Sequence, residues 1–250
     1  MKSAKALVFG FVACLLLAGS LQAQTATGTA WFTGTNGSSG CFSPGTSQGS
    51  CFYTDPYFMR FSFDPAPANP ALLPPGGTGA GAFGPVWDVF CVDYYDEISN
   101  GDVYSAYFTN LGEAQATPSM LGAYTRSTSL QQYLAAAYIA EQIQSGAVDQ
   151  NTGSGAIWWV MSGAPTSYGS TDLTVLGTTA LLTGWQNVNP YEWVVVTDQE
   201  AAGHASYLQQ GIGHQEFIAQ VTPEPATLLL LGTGLAVMLM AAGAFRKPNA

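Results

Sequence analysis

Few residues of this 250-residue chain have the types and spacing for chemistry. Gly45-Thr46-Ser47-Gln48-Gly49 spells a nucleophile elbow, and His204 follows in the order of a serine hydrolase. An elbow needs a strand before the serine and a helix after it, so that the hydroxyl stands strained at a sheet edge. Pro44 precedes the serine here and Cys51 closes a Gly/Ser loop, so no nucleophile is expected at Ser47. Gly79-Ala80-Gly81-Ala82-Phe83-Gly84 spells a dinucleotide fingerprint. Pro74-Pro75 before it and Pro85 after it exclude the strand and helix that would hold a pyrophosphate. His204 and His214 stand ten apart with no cysteine partners, unlike a zinc pattern, and read as surface or packing residues. Asp93, Asp96, Glu97, Asn100 and Asp102 crowd one predicted hairpin. Hard oxygens at that density suit calcium, which makes Asp93, Asp96, Asn100 and Asp102 the one metal candidate. Their spacing is not that of an EF-hand, and turn chemistry in an acidic protein yields such clusters without a metal. The expectation is a solvated hairpin, with no metal and no cofactor.

Cysteine usage points to an oxidising compartment. Cys14 lies in an apolar leader, which leaves three. Cys41 and Cys51 enclose nine residues in a polar loop and form the candidate disulfide. Cys91 is the odd one, either a small buried hydrophobe on a strand or a partner for Cys41 or Cys51.

These residues must be carried by an α+β body, a mostly antiparallel sheet with inserted helices. Alternation makes strands of 30–33, 58–63, 86–95 and 103–108, and Asn100-Gly101 predicts a hairpin between the last two. Residues 64–85 hold six prolines and five glycines and read as a long loop or linker. Ser129 caps a helix that lines up Leu130, Tyr133, Leu134, Ala137 and Tyr138 and stops at Gly146. Residues 156–161 read as helix, 173–185 as a further apolar stretch, and 192–197 and 215–221 as closing strands. Tyr133, Tyr138, Trp158, Trp159, Trp185 and Trp193 could stack sugars, but their spacing reads as core.

Composition excludes several partners. Only 9% of the chain is charged, against 47% hydrophobic. Between Gln24 and Thr222, fifteen acids face Arg60 and Arg126 alone, a balance of about −13. Two arginines cannot neutralise a phosphate backbone or an anionic membrane surface, so no nucleic acid is expected.

The ends read as addresses. Lys2 and Lys5, an apolar run from Ala6 to Ala18 and a small-residue site ending at Ala23 form a secretory signal, residues 1–23. At the other end Pro223-Glu224-Pro225 precedes 19 uncharged residues, 227–245, long enough for a transmembrane helix, and then Arg246 and Lys247, which stop transfer on the cytoplasmic side. The organisation expected is signal (1–23), Gly/Ser/Pro-rich β segment (24–85), α+β domain (86–221) and tail (222–250).

The Pro-Glu-Pro, the leucine-rich span and the basic end together resemble the PEP-CTERM sorting signal. That resemblance implies a Gram-negative export handled by the Sec machinery and an exosortase, with a membrane intermediate, then cleavage near the motif and delivery to the cell surface or matrix. The body is similar to thioester adhesin domains. Phe90-Cys91-Val92-Asp93, the helix around Tyr133 to Ile143, Ala156-Ile157-Trp158 and Gln215-Glu216-Phe217-Ile218 follow their order. In that alignment Cys91 takes the thioester cysteine position while Ser154 stands where the glutamine is expected. Gln142 and Gln150 lie too early and Gln215 belongs to the closing strand, so Cys91 is expected to carry no acyl bond. The function expected is an exported, non-catalytic structural or adhesive protein, with a matrix polysaccharide as a further partner. Covalent attachment through Cys91 is the alternative, and a secreted hydrolase comes last.

Overall fold

A computed structural model describes residues 25–35, 39–42, 50–54, 56–67, 69–74, 76–79, 81–94, 96–163, 171–204 and 212–221. The signal segment and the sorting tail, with its expected helix 227–245, lie outside these residues, as does Ser47. Among the described residues no helix is long and apolar enough to cross a membrane.

Nine strands and four α-helices are described: β1 Ala26–Thr35, β2 Ser39–Phe42, β3 Ser50–Tyr53, β4 Tyr57–Phe63, β5 Gly77–Thr78, β6 Trp87–Cys91, β7 Val103–Asn110, α1 Leu111–Ala116, α2 Leu130–Gln144, α3 Gln150–Ser162, α4 Thr171–Leu182, β8 Trp193–Asp198 and β9 Phe217–Gln220. The main sheet runs β1-β7-β8-β9-β6-β4, and β4 pairs back onto β1. The mixed fold is therefore built on a closed six-stranded antiparallel barrel, where an antiparallel sheet was expected. Closure follows from alternation: Ala30 and Phe32, Tyr57 to Phe63 in steps of two, Val89 and Cys91, and Tyr104 to Phe108 in steps of two are all buried. Edge-to-face aromatic pairs fill the lumen, Phe61 on Phe108 at 5.3 Å, Phe63 on Phe108 at 4.7 Å and Tyr57 on Phe217 at 5.6 Å. β5 adds two residues parallel to the end of β4, and β2 with β3 forms a separate two-stranded ladder.

The helices lie outside the barrel and are set by capping. Asn110 Oδ1 accepts from Gly112 N and Glu113 N to start α1, Ser129 Oγ from Gln132 N to start α2, and an Asp149 carboxylate oxygen from Thr152 N to start α3. Gly146 (φ 73°) and Gly163 (φ 75°) end α2 and α3 in the left-handed region that glycine adopts freely. Trp158, Trp193 and Tyr133 are buried between the layers as core. Trp193 Nε1 reaches Glu141 on α2, and Tyr94 packs on Trp158 of α3 at 5.4 Å.

Two expectations on organisation change. Strands from both sides of residue 85 share the barrel, β1 with β7 and β4 with β6, so the stretch 64–85, which carries β5, connects two strands of one sheet. Asn100-Gly101 does turn the chain (Gly101 φ 97°), but β6 and β7 do not pair with each other. The turn bonds instead to β1, through Gly101 N to Phe32 O at 3.0 Å and Phe32 N to Asp102 O at 2.9 Å. After Cys91 the chain leaves the sheet, which frees β7 to join β1.

Candidate functional site

Chemistry gathers at the barrel end where β6 and β8 finish and β7 and β9 begin. Cys91 closes β6 opposite Phe217 in β9, and Asp198 closes β8 opposite Ala106 in β7. Next to this end a buried charge cluster holds three segments together. The Arg126 guanidinium pairs with the carboxylates of both Asp93 and Asp96, and none of the three is exposed beyond 1%. Glu216 accepts from Arg126 N at 2.9 Å, Thr197 Oγ1 at 2.7 Å and Tyr133 Oη at 2.8 Å. Burial alone would lower the arginine's pKa, but Asp93, Asp96 and Glu216 outweigh it and hold the guanidinium above its ordinary value.

The calcium candidate is thereby dispersed. Asp93 and Asp96 turn inward to Arg126, Asp102 accepts from Ser99 N at 2.6 Å and Asn100 sits exposed in the turn. Among the described residues no three acidic, histidine or cysteine side chains are grouped to hold a metal. Sequence reasoning misses Arg126. Its signal is arithmetic: an acidic body with two arginines has very few ways to neutralise a carboxylate it buries.

Cys91 is buried, and its thiol donates to the Asp93 carbonyl oxygen at 3.0 Å. Gln215 Nε2 donates to that same oxygen at 3.3 Å. A thiol and a carboxamide therefore converge on one acceptor, both at least nine-tenths buried. Gln215 Oε1 is buried with no hydrogen-bond partner among the described residues. The amide beside Cys91 thus comes from Gln215, two residues before β9. Ser154, the position expected to face it, is buried on α3 and donates to Gln150 O of its own helix at 2.7 Å. The β6–β9 register brings the pair together, and a motif count along the chain does not carry that information.

His214 is not a plain surface residue. Both its backbone N–H (2.9 Å) and its ring Nδ1 (2.6 Å) meet Asp198 Oδ2, and its ring stacks on Tyr104 at 4.6 Å, 10° from parallel. Its Nε2 faces Asp102 Oδ2 at 4.0 Å, so a second carboxylate stands where a hydrolase would hold its hydroxyl. Tyr104 is buried, its hydroxyl has no partner among the described residues, and burial, then Asp198, Cys91, Glu216 and Asp102, push its pKa well up. His204 is exposed on a turn, its N–H on Ala201 O at 3.2 Å.

At the opposite barrel end a cleft of about 270 Å³ is lined by Val86, Trp87, Asp88, Gln144 and Gln220. Burial raises the Asp88 pKa, and among the described residues lining the cleft Asp88 is the one carboxylate. The ladder of β2 and β3 sets Cys41 directly opposite Cys51. Pro223, Glu224, Pro225, Arg246 and Lys247 lie outside the described residues. The last described residue, Val221, donates its N–H to Glu192 O at 2.7 Å immediately after β9.

Residues 221–247 match the model of the PEP-CTERM protein-sorting motif. That motif marks a chain for recognition by an exosortase and for export to a surface or extracellular destination. No curated protein matches the chain, and no solved structure matches it.

Proposed function

We propose that this chain is an exported surface or matrix protein whose barrel is adhesive and non-enzymatic, delivered through a single-pass membrane intermediate. The observation that carries this reading is the sorting motif at 221–247, which begins one residue after β9 ends at Gln220. Cleavage at Pro223-Glu224-Pro225 would release a body that keeps every described strand. Mass spectrometry of the mature protein from a host with an exosortase should find a C-terminus between Thr222 and Thr227. A mature form retaining residues 228–245 in that host overturns the reading.

The convergence of Cys91 and Gln215 favours a second reading, in which adhesion is covalent. The Cys91 thiol gives up its proton and its sulfur attacks the Gln215 carboxamide, forming an S–C bond and breaking the C–N bond, while that proton goes to the leaving nitrogen, which departs as ammonia. The product is an internal thioester, shielded by the burial of both residues until a nucleophile reaches it. Its support is the shared Asp93 acceptor, and it stands against the expectation that Cys91 carries no acyl bond. Intact mass before and after methylamine tests it. A mass short by one ammonia that methylamine restores and raises supports the thioester, and a full-mass protein unmoved by methylamine rules it out.

A further inference from the structure

The covalent reading leaves one requirement open, and two buried atoms at the Cys91 end of the barrel match it. Attack on a carboxamide places negative charge on its oxygen, and an unneutralised oxyanion in a dry site is costly. The oxygen concerned is Gln215 Oε1, an acceptor with no partner among the described residues. The Tyr104 hydroxyl is a donor in the same condition. Each is unusual by itself, since buried polar atoms are nearly always paired. A donor and an acceptor left over at one barrel end are complementary.

The Tyr104 ring is held firmly at that end of the barrel. Tyr104 lies in β7, in the inward register of Ala106 and Phe108, and Cys91 lies at the end of β6 across the lumen. The Tyr104 ring is stacked face to face on His214, the residue before Gln215. His214 is fixed in turn by two hydrogen bonds to the buried Asp198 carboxylate. The raised pKa of Tyr104 keeps its proton on the oxygen at neutral pH, as a donor requires, and Cys91 is among the groups close enough to contribute to it.

We infer that Tyr104 is the oxyanion donor of thioester formation between Cys91 and Gln215, with His214 and Asp198 as positioning residues that hold its ring. This rests on the covalent reading above. It gives a reason for a hydroxyl that has no partner among the described residues: the oxygen of the amide needs a donor while charge develops on it.

The test is Tyr104→Phe in the full chain, which keeps the ring, its stack and its volume and removes only the donor. Intact mass sampled at intervals after synthesis reads the fraction lacking one ammonia, and thermal melting reads the fold. Removing one oxyanion donor slows such steps by about 10²–10³. The expected result is ammonia loss slowed at least about a hundredfold with a melting temperature equal to or above wild type. A catalytic hydroxyl and a structural one thus move the two readouts in opposite ways. Equal rates of ammonia loss in Tyr104→Phe and wild type overturn the role of Tyr104 and leave the covalent reading standing. A wild-type protein that keeps its full mass overturns both.

Discussion

Replacing Arg126 by methionine tests the central electrostatic claim. The substitution keeps a long unbranched side chain, so the cavity contribution is small and the loss is that of the charge. Asp93 and Asp96 would then stand with their side chains 0 and 1% exposed and no cation between them. Glu216 loses the arginine's charge as well but keeps hydrogen bonds from a backbone N–H and from the hydroxyls of Thr197 and Tyr133. Removing one partner from a buried ion pair costs about 3–5 kcal/mol, because the remaining charge is left uncompensated. Against a typical total of about 5–15 kcal/mol, that loss is large enough to move a urea midpoint far outside error. The assay is urea unfolding at pH 7 read by the fluorescence of the buried Trp158 and Trp193. The triple variant Arg126→Met, Asp93→Asn, Asp96→Asn removes the orphaned charges and should recover at least half of the loss. A single-variant loss under about 1 kcal/mol, the scale of an exposed pair, would refute the argument. So would a triple variant no more stable than the single one.

Two further outcomes rest on local features. Cys41 and Cys51, opposite each other in the β2–β3 ladder, should appear linked in non-reducing peptide maps, and changing both to alanine should cost about 2–3 kcal/mol of loop entropy; a link from either to Cys91 would contradict this. Asp149→Ala should cost about 1 kcal/mol at pH 7 through loss of the α3 cap. Burial alone would raise the Asp149 pKa, but hydrogen bonds from the Thr152 backbone and side chain and from the Asn151 backbone bring it below the usual range. A lowered folded-state pKa means stability held above the unfolded-state value and lost as pH falls through the folded one. The gap between wild type and Asp149→Ala should therefore close in acid, and a gap that widens there contradicts the assignment.

Local chemistry decides the part of the fold that is legible in the sequence. The alternation of residues 58–63 and 103–108 marks strands in place, and Ser129 and Gly146 bound α2. The sorting motif is legible because its three parts are contiguous in the chain. The barrel is not, because closure depends on β1 meeting both β4 and β7, and nothing local to β1 says which edge finds which partner. The hairpin at Asn100-Gly101 misleads for the same reason: a turn fixes a change of direction, while the pairing of the next strand is won by the larger buried face. Sequence reasoning sets Gln215 aside because its motif sits at the end of the body, whereas the β6–β9 register brings that end to Cys91. His214 carries no signal at all, since its partners Asp198 and Tyr104 lie 16 and 110 positions away.

The junction at Val221 has a mechanical consequence. The chain enters the barrel at Ala26 and leaves after Gln220, and the registers put Ala26 beside Phe108 and Gln220 beside Trp193, at the same end. Tension on the tail therefore runs along the axis of β9, a strand bonded on both edges, to β8 and to β6. Pulled along its length, such a strand cannot be peeled off one bond at a time; its two ladders resist in shear and must yield together. For as long as the tail is attached, a pull on it is met by a strand held along both edges, and load taken up at the Cys91 end crosses β6 and β9 before reaching the tail.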